Sequence, residues 1–359
     1  MPDYTRRVCL RLAGGVLGYA AFGSSAHAEE GISPNPGPYR GRVIAVTAAN
    51  CIRRDEYQAG PIRNMVRRGI CELTGAASSD EAWKHFVAPD DVVGIKMSPV
   101  GQPFVCSSPQ MLNAVVEGLI TAGVKATNII AYERYHEILE NTGIPKWVPE
   151  GVRTAWASEA YNDIQQDMEG YDPEHYVDLP LVLPQFDLNN IQARRSFAAR
   201  FITSQVTKLI NLPVLKSHNA AGVTGALKNL SHGLVNNVSR SHSNLADFIP
   251  PVVSLPVIRN KAVLHILDGT RGLYDGGPGI MRSDFVWDHK TIYFATDPVA
   301  MDRVSLSVVD QQRRKNKMPR IADAKMSSFK TQPEHIDAAG KAGLGEWDLA
   351  KIDLRAVKL

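Results

Sequence analysis

Residues 91–133 read DVVGIKMSPVGQPFVCSSPQMLNAVVEGLITAGVKATNIIAYE, and the order of patterns inside them decides the fold. The opening run, 91–97, is short and almost wholly apolar, as strands buried on both faces of a parallel sheet are. Residues 109–122 then space their apolar side chains as one face of a helix, and 128–133 return to an extended apolar run. Strand, helix, strand in this order implies a right-handed crossover between parallel strands.

The same alternation extends in both directions. Upstream, 42–48 reads as a strand and 61–73 as a helix that stops at Gly75. Downstream, 208–215 (KLINLPVL), 262–268 (AVLHILD) and 291–296 (TIYFAT) read as further strands, and 299–311 as a closing helix. The expected architecture is an α/β fold with a mainly parallel sheet, helices on both faces and two lobes around a cleft. One α/β domain would cover 42–345. Within it 141–195, rich in Pro, Asp and Gly with one strand near 176–183, reads as an irregular insertion or a cap. Residues 346–359 are left as a tail or an edge strand. No internal repeat is visible.

The first 28 residues carry a different message. Thr5, the pair Arg6-Arg7 and Arg11 precede a weakly apolar run too short to span a bilayer, and Ala26-His27-Ala28 offers a small-x-small cleavage site. The expectation is a twin-arginine signal over 1–28 and a Pro/Gly-rich extended leader over 29–41. The chain would then meet the twin-arginine translocase during export and work in the periplasm or outside the cell. No later stretch reaches transmembrane length, so no stable membrane anchor is expected.

Removing the three arginines and one aspartate of the signal from 40 basic and 37 acidic residues leaves a charge near +1. Such balance gives no electrostatic basis for nucleic-acid binding. Three cysteines remain beyond the signal, Cys51, Cys71 and Cys106, with no CxxC pair. They permit one disulfide at most, and no iron–sulfur cluster or structural zinc is signalled.

In open parallel sheets ligands collect beyond the carboxyl ends of the strands. Lys96, Glu133 with Arg134, Lys216 with His218, Asp268 and Asp297 all stand at such ends. The densest segment is 212–233, LPVLKSHNAAGVTGALKNLSHG. A helix should begin near Thr224, whose hydroxyl can cap it. Val223, Leu227, Leu230 and Leu234 would form its core face, while Thr224, Lys228 and His232, four residues apart, share a neighbouring stripe. Free amides at the helix start, with Gly225, Thr224, Asn229 and the lysines close by, would suit a carboxylate or phosphate. A solvated helical face is the plainer alternative. Asp275–Gly279 reads as a tight turn, able either to approach a ligand or to decorate the surface.

These residues carry a resemblance. The segment 212–233, with VVGIKMSP upstream and LHILDGTRGLYDGGPG and YFATDPVAMDRV downstream, resembles the bacterial and archaeal family called domain of unknown function 362. Members with ferredoxin-type cysteines exist, but this chain lacks them. A second, local resemblance joins His218-Asn-Ala-Ala-Gly-Val-Thr-Gly-Ala-Leu-Lys228 to the lactate racemase family. That likeness implies Lys228 as the attachment point of a nickel-pincer nucleotide, His218 as an acid/base on 2-hydroxy acids, and His232 or His242 as a metal ligand.

Three functions stay open on these grounds. One is a metal- or cofactor-dependent enzyme acting on a small anion such as a hydroxy acid, with Lys228 and His218 at the chemistry and Lys96 and Lys216 neutralising charge. Another is a binding protein for an anion or a metal, without catalysis. The third is a periplasmic assembly factor.

Overall fold

The computed structural model describes residues 35–279, 282–324 and 330–359. The expected export signal and residues 29–34 of the leader lie outside the described residues.

Runs such as Arg42–Thr47 (RVIAVT), Val93–Lys96 (VGIK) and Ile129–Tyr132 (IIAY) bury nearly every side chain, which only a strand covered on both faces can do. They belong to one ten-stranded sheet. From one edge its order is Asp353–Lys358, Arg42–Thr47, Val286–Ala295, Ala262–Leu273, Lys208–Asn211, Val93–Lys96, Ile129–Tyr132, Arg153–Ala155. Along this order only Val286–Ala295 runs antiparallel to its neighbours. The strand Val214–His218 pairs in parallel with the far part of Ala262–Leu273 and makes a short hairpin with Gly222–Val223.

Alternate residues of each strand feed opposite cores, as the period of two requires. Ile44, Ile95, Ile129 and Ala131 join Met65, Trp83 and Leu112 from the helices Ala59–Thr74, Ser79–Lys84 and Pro109–Thr121. Val43, Ile130 and Tyr132 face the other way, toward the helices Gly225–Leu234, Leu245–Val253, Pro298–Lys315 and His335–Lys341. The fold is therefore α/β with helices on both faces of a mainly parallel sheet. The described residues form one compact unit, so the cleft opens within it rather than between two separate lobes. Among the described residues no helix is long and apolar enough to cross a membrane.

Several local expectations change. The run 208–215 is two strands, because the proline at 213 cannot donate to a ladder. Lys208–Asn211 pairs with the start of Ala262–Leu273, and Val214–His218 pairs further along the same strand. The strand expected over 176–183 lies at Tyr171–Asp178, against Arg195–Ala199. The span 141–195 is not wholly an insertion, since Arg153–Ala155 closes one edge of the sheet. The C-terminal segment is an edge strand, parallel to Arg42–Thr47.

Candidate functional site

Register brings the strand ends to one level: Lys96 lies opposite Tyr132 on one side and Asn211 on the other. Beyond Tyr132 come Glu133, Arg134 and Tyr135, and beside them runs the helix Gly225–Leu234. Together these walls enclose a cavity of about 400 Å³. It gathers Lys96, Glu133, Lys216, His218, Thr224, Lys228, Asn229, His232 and His242, nine of the residues expected from the sequence.

Gly225 and Asp297 are not on its wall. Asp297 is the buried N-cap of Pro298–Lys315, accepting the amides of Val299 (3.0 Å), Ala300 (2.9 Å), Gly41 (2.9 Å) and Glu346 (2.9 Å). It ties four backbone donors together and is structural. Gly225 has a φ of +55°, and a Cβ there would lie 2.2 Å from Asp302 Oδ1. Its missing side chain lets the Asp302 carboxylate reach the amides of Ala226 and Leu227, the latter at 3.0 Å. The helix start expected to greet a ligand is thus already occupied from within the fold. Burial pushes the Asp302 carboxyl up to about 7, against the pull of those amides. Thr224 makes no capping hydrogen bond; its hydroxyl is buried on the cavity wall without a partner among the described residues.

Four basic side chains line the cavity, Lys96, Arg134, Lys216 and Lys228, and Glu133 is the single acid among the described lining residues. Lys96 donates to Glu133 Oε2 (2.8 Å), to the Met97 carbonyl and, more loosely, to Asn229 Oδ1 (3.4 Å). Asn229 in turn donates to Asn211 Oδ1 at 2.7 Å. Arg134 is committed to Tyr171, Gln165 and the His232 carbonyl. Lys216 donates to the Val100 carbonyl and keeps further N–H bonds to give. Burial lowers its pKa from 10.5 to about 8.

Lys228 differs from these. The residue is only 9% exposed, and its amine has no hydrogen bond or ion pair among the described residues. Burial first, then the nearby charges of Lys216 and Arg134, lower its pKa from 10.5 to about 7.

The three imidazoles sit close together, with His218 and His242 ring centroids 6.2 Å apart and His232 and His242 5.8 Å apart. His218 Nδ1 accepts the amides of Ala220 (3.1 Å) and Ala221 (3.2 Å), which places the neutral ring's proton on Nε2. Gaining a second proton would set an N–H against two amide donors. Burial and the Lys228 charge likewise hold its pKa well below the usual imidazole value. His218 is therefore a neutral hydrogen-bond donor at Nε2, a narrower role than the expected acid/base.

His232 Nε2 lies 3.0 Å from Ser241 Oγ, whose own proton goes to the Val238 carbonyl, and Nδ1 lies 3.0 Å from Ser231 Oγ. Both nitrogens are engaged, so His232 does not suit the metal-ligand role. His242 donates through Nδ1 to the Ser239 carbonyl at 3.1 Å. Among the described residues no group of three or more His, Cys, Asp or Glu could hold a metal ion.

Arg134, which stands with Glu133 at the strand end, also reaches the wall as that position implies, and Tyr135, not singled out in the sequence, directly follows it. Tyr161 and Gln165 come from the irregular 141–195 span, where no pattern distinguishes them. Pro278 also reaches the wall, because Gly277 packs its backbone against the strand of His218, accepting the Asn219 amide at 3.0 Å. Cys51, Cys71 and Cys106 are free thiols.

A family model described as domain of unknown function 362 matches residues 93–307, which span most of the sheet and the whole helix of Lys228. The chain belongs to that family. No curated protein matches it. A structural-genomics crystal structure of a Thermotoga maritima protein aligns at 12% identity and a TM-score of 0.34, over 60% of this chain and 51% of that one. The alignment thus spans about half the length of the Thermotoga protein. The family match takes in Lys96, Glu133, Lys216, His218 and Lys228, so the basic cavity is built from family sequence.

Proposed function

We propose that this family member is an exported enzyme that acts on a small carboxylate of hydroxy-acid size, with the Lys228 amine as its reactive group. The carrying observation is that amine: it belongs to a residue only 9% exposed, has no partner among the described residues, and faces a cavity lined by four basic side chains and one acid. Lys216 would meet the substrate carboxylate with its remaining N–H bonds. His218 would donate from Nε2 to a substrate oxygen, as a neutral electrophile does when charge develops there. A lysine with a pKa of about 7 exists in both protonation states near neutrality, as proton transfer requires. The arginine pair at Arg6-Arg7 motivates export.

The local likeness to lactate racemases supports Lys228 and His218 as the chemical pair. It does not extend to metal ligation, since His232 is engaged at both nitrogens and the described residues offer no cluster of metal donors. We derive no step through a metal.

A second reading, capture of an anion without turnover, draws support from His218, which is held as a donor and is poorly placed to take a proton. Calorimetric titration with lactate, glycolate and propionate tests both. Binding to wild type, weakened at least tenfold in Lys228→Gln, is expected; turnover of a bound hydroxy acid selects the enzyme. Equal binding by wild type and Lys228→Gln, or none by either, would sink the proposal.

A further inference from the structure

We infer that Lys228 forms an imine with the carbonyl carbon of a small oxo acid, so that the cavity performs covalent amine catalysis. This rests on the anion-site reading above and names the substrate class within it.

The inference starts from how differently the three cavity lysines are held. Lys96 is paired with Glu133 and Lys216 is tied to the Val100 carbonyl, whereas Lys228 has neither an acid nor a carbonyl among the described residues to hold its protons. An amine that is desolvated beside other cations and left without a counter-ion is the arrangement that makes lysine a nucleophile near neutral pH. Its lowered pKa agrees with this.

Imine formation also builds negative charge on the carbonyl oxygen, and two hydrogen-bond donors that would steady it stand nearby. Thr224 lies one helical turn before Lys228 on the same stripe, with a buried hydroxyl that has no partner. His218 presents its Nε2 proton on the same wall. On the same lining, Ile138 and Val238 give the cavity an apolar flank that limits water around the adduct.

The step balances without a co-reactant. The amine lone pair attacks the carbonyl carbon, a C–N bond forms, and the carbonyl oxygen takes a proton to give the carbinolamine. Both amine protons pass to that oxygen, the first to give the carbinolamine and the second as the C–O bond breaks and water leaves, so amine and carbonyl become imine and water. Lys216 would hold the oxo acid's carboxylate, which orients its carbonyl toward the amine.

The test is reductive trapping. Mature protein is incubated with pyruvate or 2-oxobutyrate and cyanoborohydride, then analysed by intact mass and peptide mapping. One reduced adduct per chain at Lys228 is expected, slowed by propionate, which carries the carboxylate without the carbonyl, and lost in Lys228→Arg. Should that variant misfold, propionate protection of wild type still decides the matter. Propionate binding with no adduct at Lys228, or with scattered adducts it does not slow, overturns the imine and leaves the anion site standing. Failure of every carboxylate to bind overturns the anion site as well.

Discussion

The uncompensated amine of Lys228 should be visible in stability alone, before any ligand is known. Its pKa falls from 10.5 in an ordinary environment to about 7 in the fold, so between those values the unfolded chain binds more protons than the folded one. Stability therefore rises with pH across this window, at up to about 1.4 kcal/mol per pH unit for one such group. Integrated, the penalty for holding the ammonium is about 4 kcal/mol at pH 7 and about 2 kcal/mol at pH 9. Wild type should gain about 2 kcal/mol from this group between those pH values. Lys216, lowered from 10.5 to about 8, adds a smaller gain of the same sign. Urea unfolding of wild type and Lys228→Met at both pH values isolates the first effect, because the remaining titrations cancel in the double difference. If the two proteins show the same pH dependence within about 0.5 kcal/mol, Lys228 is not a desolvated, unpaired amine and the reading of the cavity fails.

Two further outcomes are expected. Glu133→Gln leaves the Lys96 ammonium buried without its counter-ion and should cost about 3–5 kcal/mol in urea unfolding, against near-neutral effects for exposed acids such as Glu56. Nitrogen-detected NMR of histidine-labelled protein should show His218 as the Nε2–H tautomer, unchanged as pH falls from 8 to 5 because its pKa lies well below the ordinary value of 6.5; titration within that range would refute the amide lock.

Much of this was legible in the residues, and for identifiable reasons. Strands buried on both faces announce themselves as apolar runs, so 91–97 and 128–133 locate two strands to within two residues at each end. Lys96, Glu133, Lys216 and His218 stood out because polar residues at such strand ends have little packing role, and Lys228 because it lies off its helix's apolar face. What failed depended on distant partners. Gly225 and Asp297 looked like ligand groups, but one makes room for Asp302 and the other gathers amides from Gly41 and Glu346, pairings that sequence separation hides. The engagement of His232 with Ser241 and the arrival of Tyr161 were hidden in the same way.

The closure of the helix start by Asp302 has a consequence for how this scaffold can diversify. A cavity whose ligand is held by backbone amides is tied to one geometry, because altering the recognition means rebuilding the chain. Here the main chain at the helix start is spoken for, and whatever enters must be recognised by side chains hung on strand ends and one helical stripe. Each can be exchanged singly while the sheet, the Gly225 conformation and the Asp302 cap stay fixed. Relatives could thus change cargo or chemistry by point substitution, and kinship with this chain would predict its architecture far better than its substrate.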